Sequence, residues 1–200
     1  MTLPTEAEIY RLHQTYAPTD EVRDLVLGHS LIDWAIAEQL ISAGELSVDP
    51  TLVKLGCLVH DLGVYLLYDH EGNYREGVEY ITHGILGEAL LKELGLPEVV
   101  WRFASHHTGV GLTKDDIERQ NLPLPHQDYL AQSIEEKLVM YADKFHSKRT
   151  PPGFNSFDAY AKKAAAFGPA VAERFQALAE EFGKPELESL AEQFGQRIDE

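Results

Sequence analysis

Residues 49–63 read Asp-Pro-Thr-Leu-Val-Lys-Leu-Gly-Cys-Leu-Val-His-Asp-Leu-Gly, and this stretch decides the fold prediction. Asp49 is a typical helix N-cap, and Pro50 suits the first helical position, where no amide hydrogen is needed. Apolar residues continue to the dipeptide His60-Asp61, and the final glycine is typical of a helix end. The stretch therefore predicts a buried helix with an imidazole and a carboxylate near its C-terminal end.

Helical periodicity continues on both sides of this stretch, and no segment alternates as a strand does. Upstream, Thr19 or Asp20 caps a predicted helix that runs to about Ala43. Downstream, helices are predicted over 81–94, from Pro97 to His107, over 114–120 after Thr113, from Ser133 through Phe145, and over 156–200 as two or three amphipathic segments. Residues 65–79 are interrupted by glycines and predict a functional or mobile loop.

The pattern predicts an all-α protein, a single compact helical bundle with additional C-terminal helices. We expect residues 1–150 to form the bundle and residues 151–200 to form a helical extension packed on the same domain. The acidic extension, with its loosely spaced phenylalanines, is interpreted as a cover over the core or as the surface of a homodimer.

The composition restricts the compartment and the classes of partner that are expected. The 200 residues are 44% hydrophobic and 25% charged, as in ordinary globular proteins, and the single Cys57 indicates a reducing compartment. No apolar run was expected to reach the roughly 18 residues of a membrane span, so the prediction is a cytoplasmic protein without a membrane partner. The net charge of −16 argues against a nucleic-acid polymer, but a bound metal can still attract a small anion.

Several potential metal ligands occur on or beside apolar helix faces, and they are His29, His60, Asp61, His83, His106, His107 and Asp143. Imidazole with carboxylate suits a borderline divalent ion rather than an all-oxygen magnesium or calcium site. The set exceeds what one tetrahedral zinc requires, so two ions bridged by a carboxylate is the economical interpretation. Each residue alone has a simpler explanation, as a hydrogen-bonded core histidine or, for Asp143, an ion pair with a following lysine or arginine.

The order His, His-Asp, His, His, Asp resembles the HD superfamily of metal-dependent phosphohydrolases. Residues 57–63 (CLVHDLG) are similar to its His-Asp-Ile-Gly variant, and residues 82–91 (THGILGEALL) to its third block. His107-Thr108-Gly109 and residues 141–144 (YADK) resemble the last two blocks of the bacterial symmetrical dinucleoside-tetraphosphatase branch. Residues 111–113, 128–129 and 134–137 are similar to small uncharacterised members, and the resemblance covers about 25–150.

The resemblance implies that His29, His60, Asp61 and Asp143 hold one ion and that Asp61 bridges to a second. His83 and His107 would bind the second ion. The HD pattern favours His107 over His106, although the helical spacing allows either. Iron or manganese is favoured, with cobalt, nickel or zinc as alternatives.

The resemblance also implies that water, activated by two cations, attacks phosphorus. Asp61 and His106 are the predicted catalytic residues, and Glu71 or Glu76 are alternatives to His106 as the leaving-group acid. The predicted phosphate-binding cations are Lys144, Lys148, Arg149 and Arg75. The expected substrate is a small phosphorylated molecule of the nucleotide type, cleaved at an ester or an anhydride.

Two other functions fit the same residues. Some proteins of this fold and ligand order are mixed-valent di-iron oxygenases, which cleave carbon–carbon or carbon–phosphorus bonds with oxygen. A non-catalytic nucleotide-binding module that has kept its metal is a third interpretation.

Overall fold

The computed structural model describes residues 2–44 and 46–200. Its helices are α1 (Glu6–Tyr16), α2 (Asp20–Gly44), α3 (Pro50–Val59), α4 (His83–Glu93), α5 (Glu98–Ser105), α6 (Lys114–Gln120), α7 (Ile134–Ala142), α8 (Phe157–Ala166), α9 (Pro169–Phe182) and α10 (Glu188–Phe194). Short 3-10 helices cover Leu62–Leu67, Tyr80–Thr82 and Asp143–Phe145. The all-α prediction is confirmed.

A small sheet, which the sequence did not predict, lies near the end of the chain. Strand β1 (His146–Ser147) pairs antiparallel with β2 (Gly153–Asn155), and β2 pairs parallel with β3 (Ile198–Asp199). The strands have only two or three residues each, too few to show alternation in the sequence. The sheet therefore ties residues 198–199 to the segment that follows α7.

Helix α3 lies at the centre of the bundle, packed against α2, α5 and α7. It begins as predicted: the Asp49 carboxylate accepts hydrogen bonds from the amides of Thr51 and Leu52. It ends earlier than expected, at Val59, and Asp61 has a non-helical backbone (φ −105°, ψ 10°).

Gly63 does not end the helix, contrary to the prediction, but lies within the 3-10 helix that follows. A Cβ atom at this position would lie 2.0 Å from the carbonyl oxygen of His83 and 2.4 Å from the amide nitrogen of Gly87. Both distances are far inside van der Waals contact. The glycine is therefore needed so that α4 can pack closely on this segment and bring His83 next to Asp61.

The other predicted segments show two further differences. The loop expected over 65–79 begins later, because Tyr65 and Leu67 are buried in the 3-10 helix. The Ser133 side chain caps α7, but Glu136, three residues later, does not complete a capping box with it and instead pairs with the guanidinium of Arg102. The cap of α6 at Thr113 is present as predicted.

The C-terminal helices contribute to the same core. Phe175 is fully buried, and Tyr141 packs against the rings of Phe175 and Phe182. Arg174 of α9 donates to the Asp116 carboxylate of α6 at 2.7 Å. The extension thus covers one side of the bundle, and the homodimer stays a prediction.

One apolar window differs from the sequence expectation. Pro50–Leu67 has a mean hydropathy of 1.3 over 18 residues and passes the length and composition test for a membrane span. In the structure 72% of this window is buried, because it comprises α3 and the 3-10 helix at the centre of the bundle. Its apolar character is thus accounted for by core packing.

Candidate metal centre

The predicted ligands come from five separate parts of the chain and meet at the end of α3. His29 lies in α2, His83 begins α4, and Asp143 directly follows α7. His107 follows α5, one residue after the helix cap, and the dipeptide His60-Asp61 follows α3. The histidines and Asp61 are at most 4% exposed.

The two carboxylate oxygens of Asp61 face different sets of imidazoles. Its Oδ2 lies 3.2 Å from the Nε2 atom of His29 and 3.4 Å from that of His60. Its Oδ1 lies 3.3 Å from the Nε2 atom of His83 and 3.6 Å from that of His107. Asp61 therefore lies between two pairs of imidazoles.

We name the two groups of potential ligands by their composition. The acidic half consists of His29, Asp33, His60 and Asp143, whose ligand atoms all lie within 4.8 Å of one another. The imidazole half consists of His83 and His107, whose Nε2 atoms are 2.9 Å apart. Asp61 belongs to both.

Backbone carbonyls set the tautomer of three histidines. The Nδ1 atom of His60 is 2.7 Å from the carbonyl oxygen of Cys57, that of His83 is 2.6 Å from Tyr80, and that of His107 is 3.0 Å from Phe103. Since a carbonyl only accepts, each Nδ1 carries the proton and donates it. The Nε2 lone pair of the neutral ring then points into the centre, as a metal ligand requires.

His29 is oriented by side chains instead. The amide oxygen of Gln196 accepts from Nε2 of His146 at 2.8 Å, which leaves Nδ1 of His146 as an acceptor. That Nδ1 lies 2.7 Å from Nδ1 of His29, which therefore donates. A residue of the C-terminal extension thus orients a ligand of the acidic half through one intervening imidazole.

Sequence reasoning missed Asp33, His146 and Gln196. Asp33 lies four residues after His29 on α2, so the two side chains share one helical face. This i, i+4 spacing of a histidine and an aspartate is the signal in the sequence that could have identified Asp33. Nothing in the local sequence marks Gln196, because its contact with His146 depends on the return of the chain to the small sheet.

The two halves differ in electrostatics. Burial alone would lower the pKa of His29, but the charge of Asp33 and the hydrogen bond with Asp143 raise it to about 10. Burial lowers the pKa of His83 to about 3 despite the nearby Asp61. The acidic half therefore favours a positive charge, whereas the imidazole half favours neutral rings.

Both carboxylates that face the cavity are paired with lysines. Burial alone would raise the pKa of Asp61, but the charge of Lys148 holds it well below its usual range. Lys144 acts in the same way on the pKa of Asp143, against the opposing effect of burial. The ammonium of Lys148 contacts Oδ2 of Asp61, and that of Lys144 donates to Asp143 and to the carbonyl oxygen of His107. Both carboxylates are thus ionised and able to act as ligands.

A cavity of about 730 Å³ opens above the centre, with Asp61, His83, His107 and Asp143 in its wall. Three of the four cations predicted to bind phosphate, Lys144, Lys148 and Arg149, also line it. Cations and aromatic residues from the rest of the chain complete the wall, namely Tyr68, Tyr80, Tyr160, Lys163 and Arg174.

Four predicted residues lie elsewhere. The Nδ1 atom of His106 lies 2.6 Å from the hydroxyl of Ser105, and its ring packs near Tyr129, outside the residues that line the cavity. Arg75 is exposed and donates to the carbonyl oxygen of Tyr68. Glu71 and Glu76 also do not line the cavity. Their positions do not support the predicted roles in catalysis or phosphate binding.

The donor set fits divalent metal ions. Four imidazole nitrogens and several buried carboxylate oxygens converge, and Oδ1 of Asp61 has no hydrogen-bond partner. Such nitrogen and oxygen donors suit manganese, iron, cobalt, nickel or zinc. The buried negative charge gives a physical reason for a cation at this point.

Two curated relatives match part of the chain. An uncharacterised protein of Methanocaldococcus jannaschii, MJ0778, is 40% identical over 104 residues, or 51% of this chain and 54% of that protein. The tRNA (cytidine(56)-2'-O)-methyltransferase of Picrophilus torridus is 32% identical over 129 residues, or 64% of this chain and 33% of that protein. The chain therefore spans about half the length of the first relative and a third of the second.

Among solved structures, the HD domain of the L. monocytogenes phosphodiesterase PgpH, crystallised with cyclic-di-AMP, superposes with a TM-score of 0.54. The match covers 96% of this chain and 100% of that chain at 16% identity, so it shows a shared fold. The sequence pattern of the HD-domain family matches residues 26–148, which include every ligand predicted above. The chain therefore belongs to the HD-domain family.

Proposed function

We propose that this protein is a metal-dependent phosphohydrolase with two ions, acting on a phosphate ester or anhydride of a small nucleotide-like molecule. The observation that carries the proposal is the position of Asp61, whose two oxygens face two separate groups of imidazoles. A shared carboxylate is the usual bridge in two-metal hydrolytic sites.

The chain's own residues account for binding and orientation. His29, His60 and Asp143 would hold one ion, His83 and His107 the other, and Asp61 both. When bound, the ions would lower the pKa of water and neutralise phosphoryl oxygens. Lys148 and Lys144, which contact Asp61 and Asp143 and line the cavity, would receive substrate phosphate oxygens.

The cavity supports a small substrate with a base. A volume of about 730 Å³ lies within the range of small-molecule sites. Tyr68, Tyr80 and Tyr160 in its wall offer ring faces for a nucleobase, and Lys163 adds a further cation. Cyclic-di-AMP, bound by the PgpH domain, is one candidate of this class.

A tRNA substrate receives less support. The methyltransferase relative is matched over only a third of its length, so its activity does not transfer to this chain. A net charge of −16 disfavours a long polyanion, which needs a basic surface for its phosphates. We therefore favour the small nucleotide.

The proposal is tested by assaying purified protein with Mn²⁺ or Fe²⁺, with and without oxygen, against ATP, diadenosine tetraphosphate, cyclic-di-AMP and tRNA. We expect metal-dependent, oxygen-independent hydrolysis of a small nucleotide. In Lys148→Gln the KM should rise about tenfold or more, the cost of one charged contact. Lys162→Gln, a change of an exposed α8 lysine that does not line the cavity, is the matched control.

Other outcomes would contradict the proposal. Oxygen consumption with an organic substrate and no phosphate chemistry would establish the oxygenase alternative. Tight nucleotide binding without turnover under any metal condition would establish a binding module. Cleavage of tRNA alone would overturn the small-substrate assignment.

A further inference from the structure

Asp33 is a buried acid that neither the HD-domain resemblance nor the proposed mechanism uses. It lies on α2, its side chain has no exposed surface, and neither carboxylate oxygen has a hydrogen-bond partner. Burying polar oxygens that accept no hydrogen bond is costly in free energy. Such a group needs a physical explanation.

Asp33 points into the acidic half. Its Oδ2 lies 3.0 Å from the Nε2 atom of His29 and 3.4 Å from that of His60. The same two nitrogens face Asp61 and Asp143. Asp33 therefore adds a third carboxylate beside two imidazoles.

The two imidazoles cannot donate a hydrogen bond to each of these three carboxylates. The Nδ1 proton of His60 is donated to the carbonyl of Cys57, so its Nε2 is an acceptor in the neutral ring. The Nε2 atom of His29 carries at most one proton, yet three carboxylates lie within 3.2 Å of it. A cation with several coordination positions is the group that matches all of these oxygens at once.

We propose that Asp33 is a direct metal ligand of the acidic half, an inference that rests on the proposed metal centre. That ion is then held by two imidazoles and three carboxylates, Asp61 included. The ion of the imidazole half is held by two imidazoles and the shared Asp61. The acidic half binds its ion more tightly and favours harder ions such as manganese, while the imidazole half holds a weaker, more exchangeable ion.

The alternative is a purely orienting role, in which Asp33 positions His29 without touching the ion. Loss of such a residue costs about 10- to 100-fold in metal affinity. Affinity alone therefore does not separate the two roles, and a spectroscopic measurement is needed.

The first experiment titrates chelator-stripped protein with Mn²⁺ by calorimetry. We expect two classes of site in the unaltered protein and, in Asp33→Asn, a weakening of the tighter class by at least about 100-fold. Ser30→Ala on the same helix, which also removes a buried unpartnered oxygen, is the control and should leave both Mn²⁺ affinities unchanged.

The second experiment uses Asp33→Cys loaded with Co²⁺. A thiolate within coordination distance produces a sulfur-to-cobalt charge-transfer band in the near ultraviolet, and a residue outside that distance does not. The unaltered protein, whose only thiol is the buried Cys57, supplies the baseline. Circular dichroism verifies that each variant is folded.

The outcomes are distinct. A charge-transfer band together with weakened Mn²⁺ binding in Asp33→Asn supports direct ligation. Unchanged Mn²⁺ affinities in Asp33→Asn, or a folded Asp33→Cys protein that binds Co²⁺ without the band, overturns it while leaving the metal centre intact. Absence of metal binding in the unaltered protein overturns the proposed centre and this inference with it.

Discussion

The acidic half and the imidazole half of the centre share Asp61 and lie side by side, yet they are built differently. The acidic half brings Asp33 and Asp143 close to His29, so a positive charge is favoured there and the pKa of His29 is raised to about 10. The imidazole half is desolvated without a carboxylate of its own, and the pKa of His83 is lowered to about 3. The pKa values of His29 and His83 thus differ because more carboxylates lie near His29.

The halves also differ in how their ligands are oriented. Backbone carbonyls hold both histidines of the imidazole half, whereas His29 depends on His146 and Gln196. A backbone carbonyl is part of the helix and cannot be removed by substitution. The orientation of the acidic half is therefore more sensitive to changes in the C-terminal extension.

The largest expected effect comes from breaking the link between the halves. Asp61→Asn removes the shared charge, so we expect both ions to be lost and kcat/KM to fall by at least about 10³-fold, as for loss of a key electrostatic group. Metal analysis and the hydrolase assay measure this. Asp115→Asn, an exposed change in α6, should leave both unchanged. Full metal content in Asp61→Asn would contradict the shared role.

A smaller effect on metal content and activity is expected when only the imidazole half is changed. His83→Ala should reduce the metal content from two ions to one, because the acidic half keeps all of its own ligands. We expect activity to fall by about 10²-fold or more, since one ion no longer stabilises the phosphoryl charge. Loss of both ions in this variant would show that the halves do not bind independently.

The two halves should affect the folding stability of the metal-free protein in opposite pH ranges. The pKa of His29 is raised in the folded state, so its stabilising contribution is full below pH 6.5 and is lost as the pH rises towards 10. The pKa of His83 is lowered, so stability falls as the pH drops from 6.5 towards 3, where the unfolded chain binds the extra proton.

Thermal unfolding midpoints of the chelated protein, measured across this pH range, test both effects. We call the loss of stability towards high pH the alkaline slope and the loss towards low pH the acidic slope. His29→Gln should flatten the alkaline slope, and His83→Gln should make the acidic slope shallower. The acidic slope should not vanish, because His13 and His146 also have pKa values lowered to about 4 by burial. An unchanged alkaline slope in His29→Gln would contradict the electrostatic contrast between the halves.

The smallest effect concerns Gln196. Gln196→Leu removes the acceptor that sets the tautomer of His146, and we expect the Mn²⁺ affinity of the acidic half alone to fall about tenfold. Gln196→Glu keeps an acceptor oxygen and should retain most of the affinity. Equal weakening of both classes of site would indicate a general loss of structure instead.

Much of this architecture could be predicted from local sequence. The caps at Asp49 and Thr113 begin their helices as expected, because a capping side chain bonds to amides only two or three residues away. The end of α3 was misjudged, since the close approach of α4 at Gly63 is not a local property. The preference for His107 came from resemblance, and the structure shows the side chain facing Asp61.

The order of histidines and aspartates along the helices, and with it the predicted ligand set, is contained in the sequence because ligand type and helical pattern are local. Tertiary structure alone shows that Asp61 lies between two groups of imidazoles, that Asp33 is buried without a partner, and that Gln196 reaches His146. These features depend on contacts between segments up to 117 residues apart, as for His29 and His146. Such contacts are set by the packing of the whole chain, which no local pattern records.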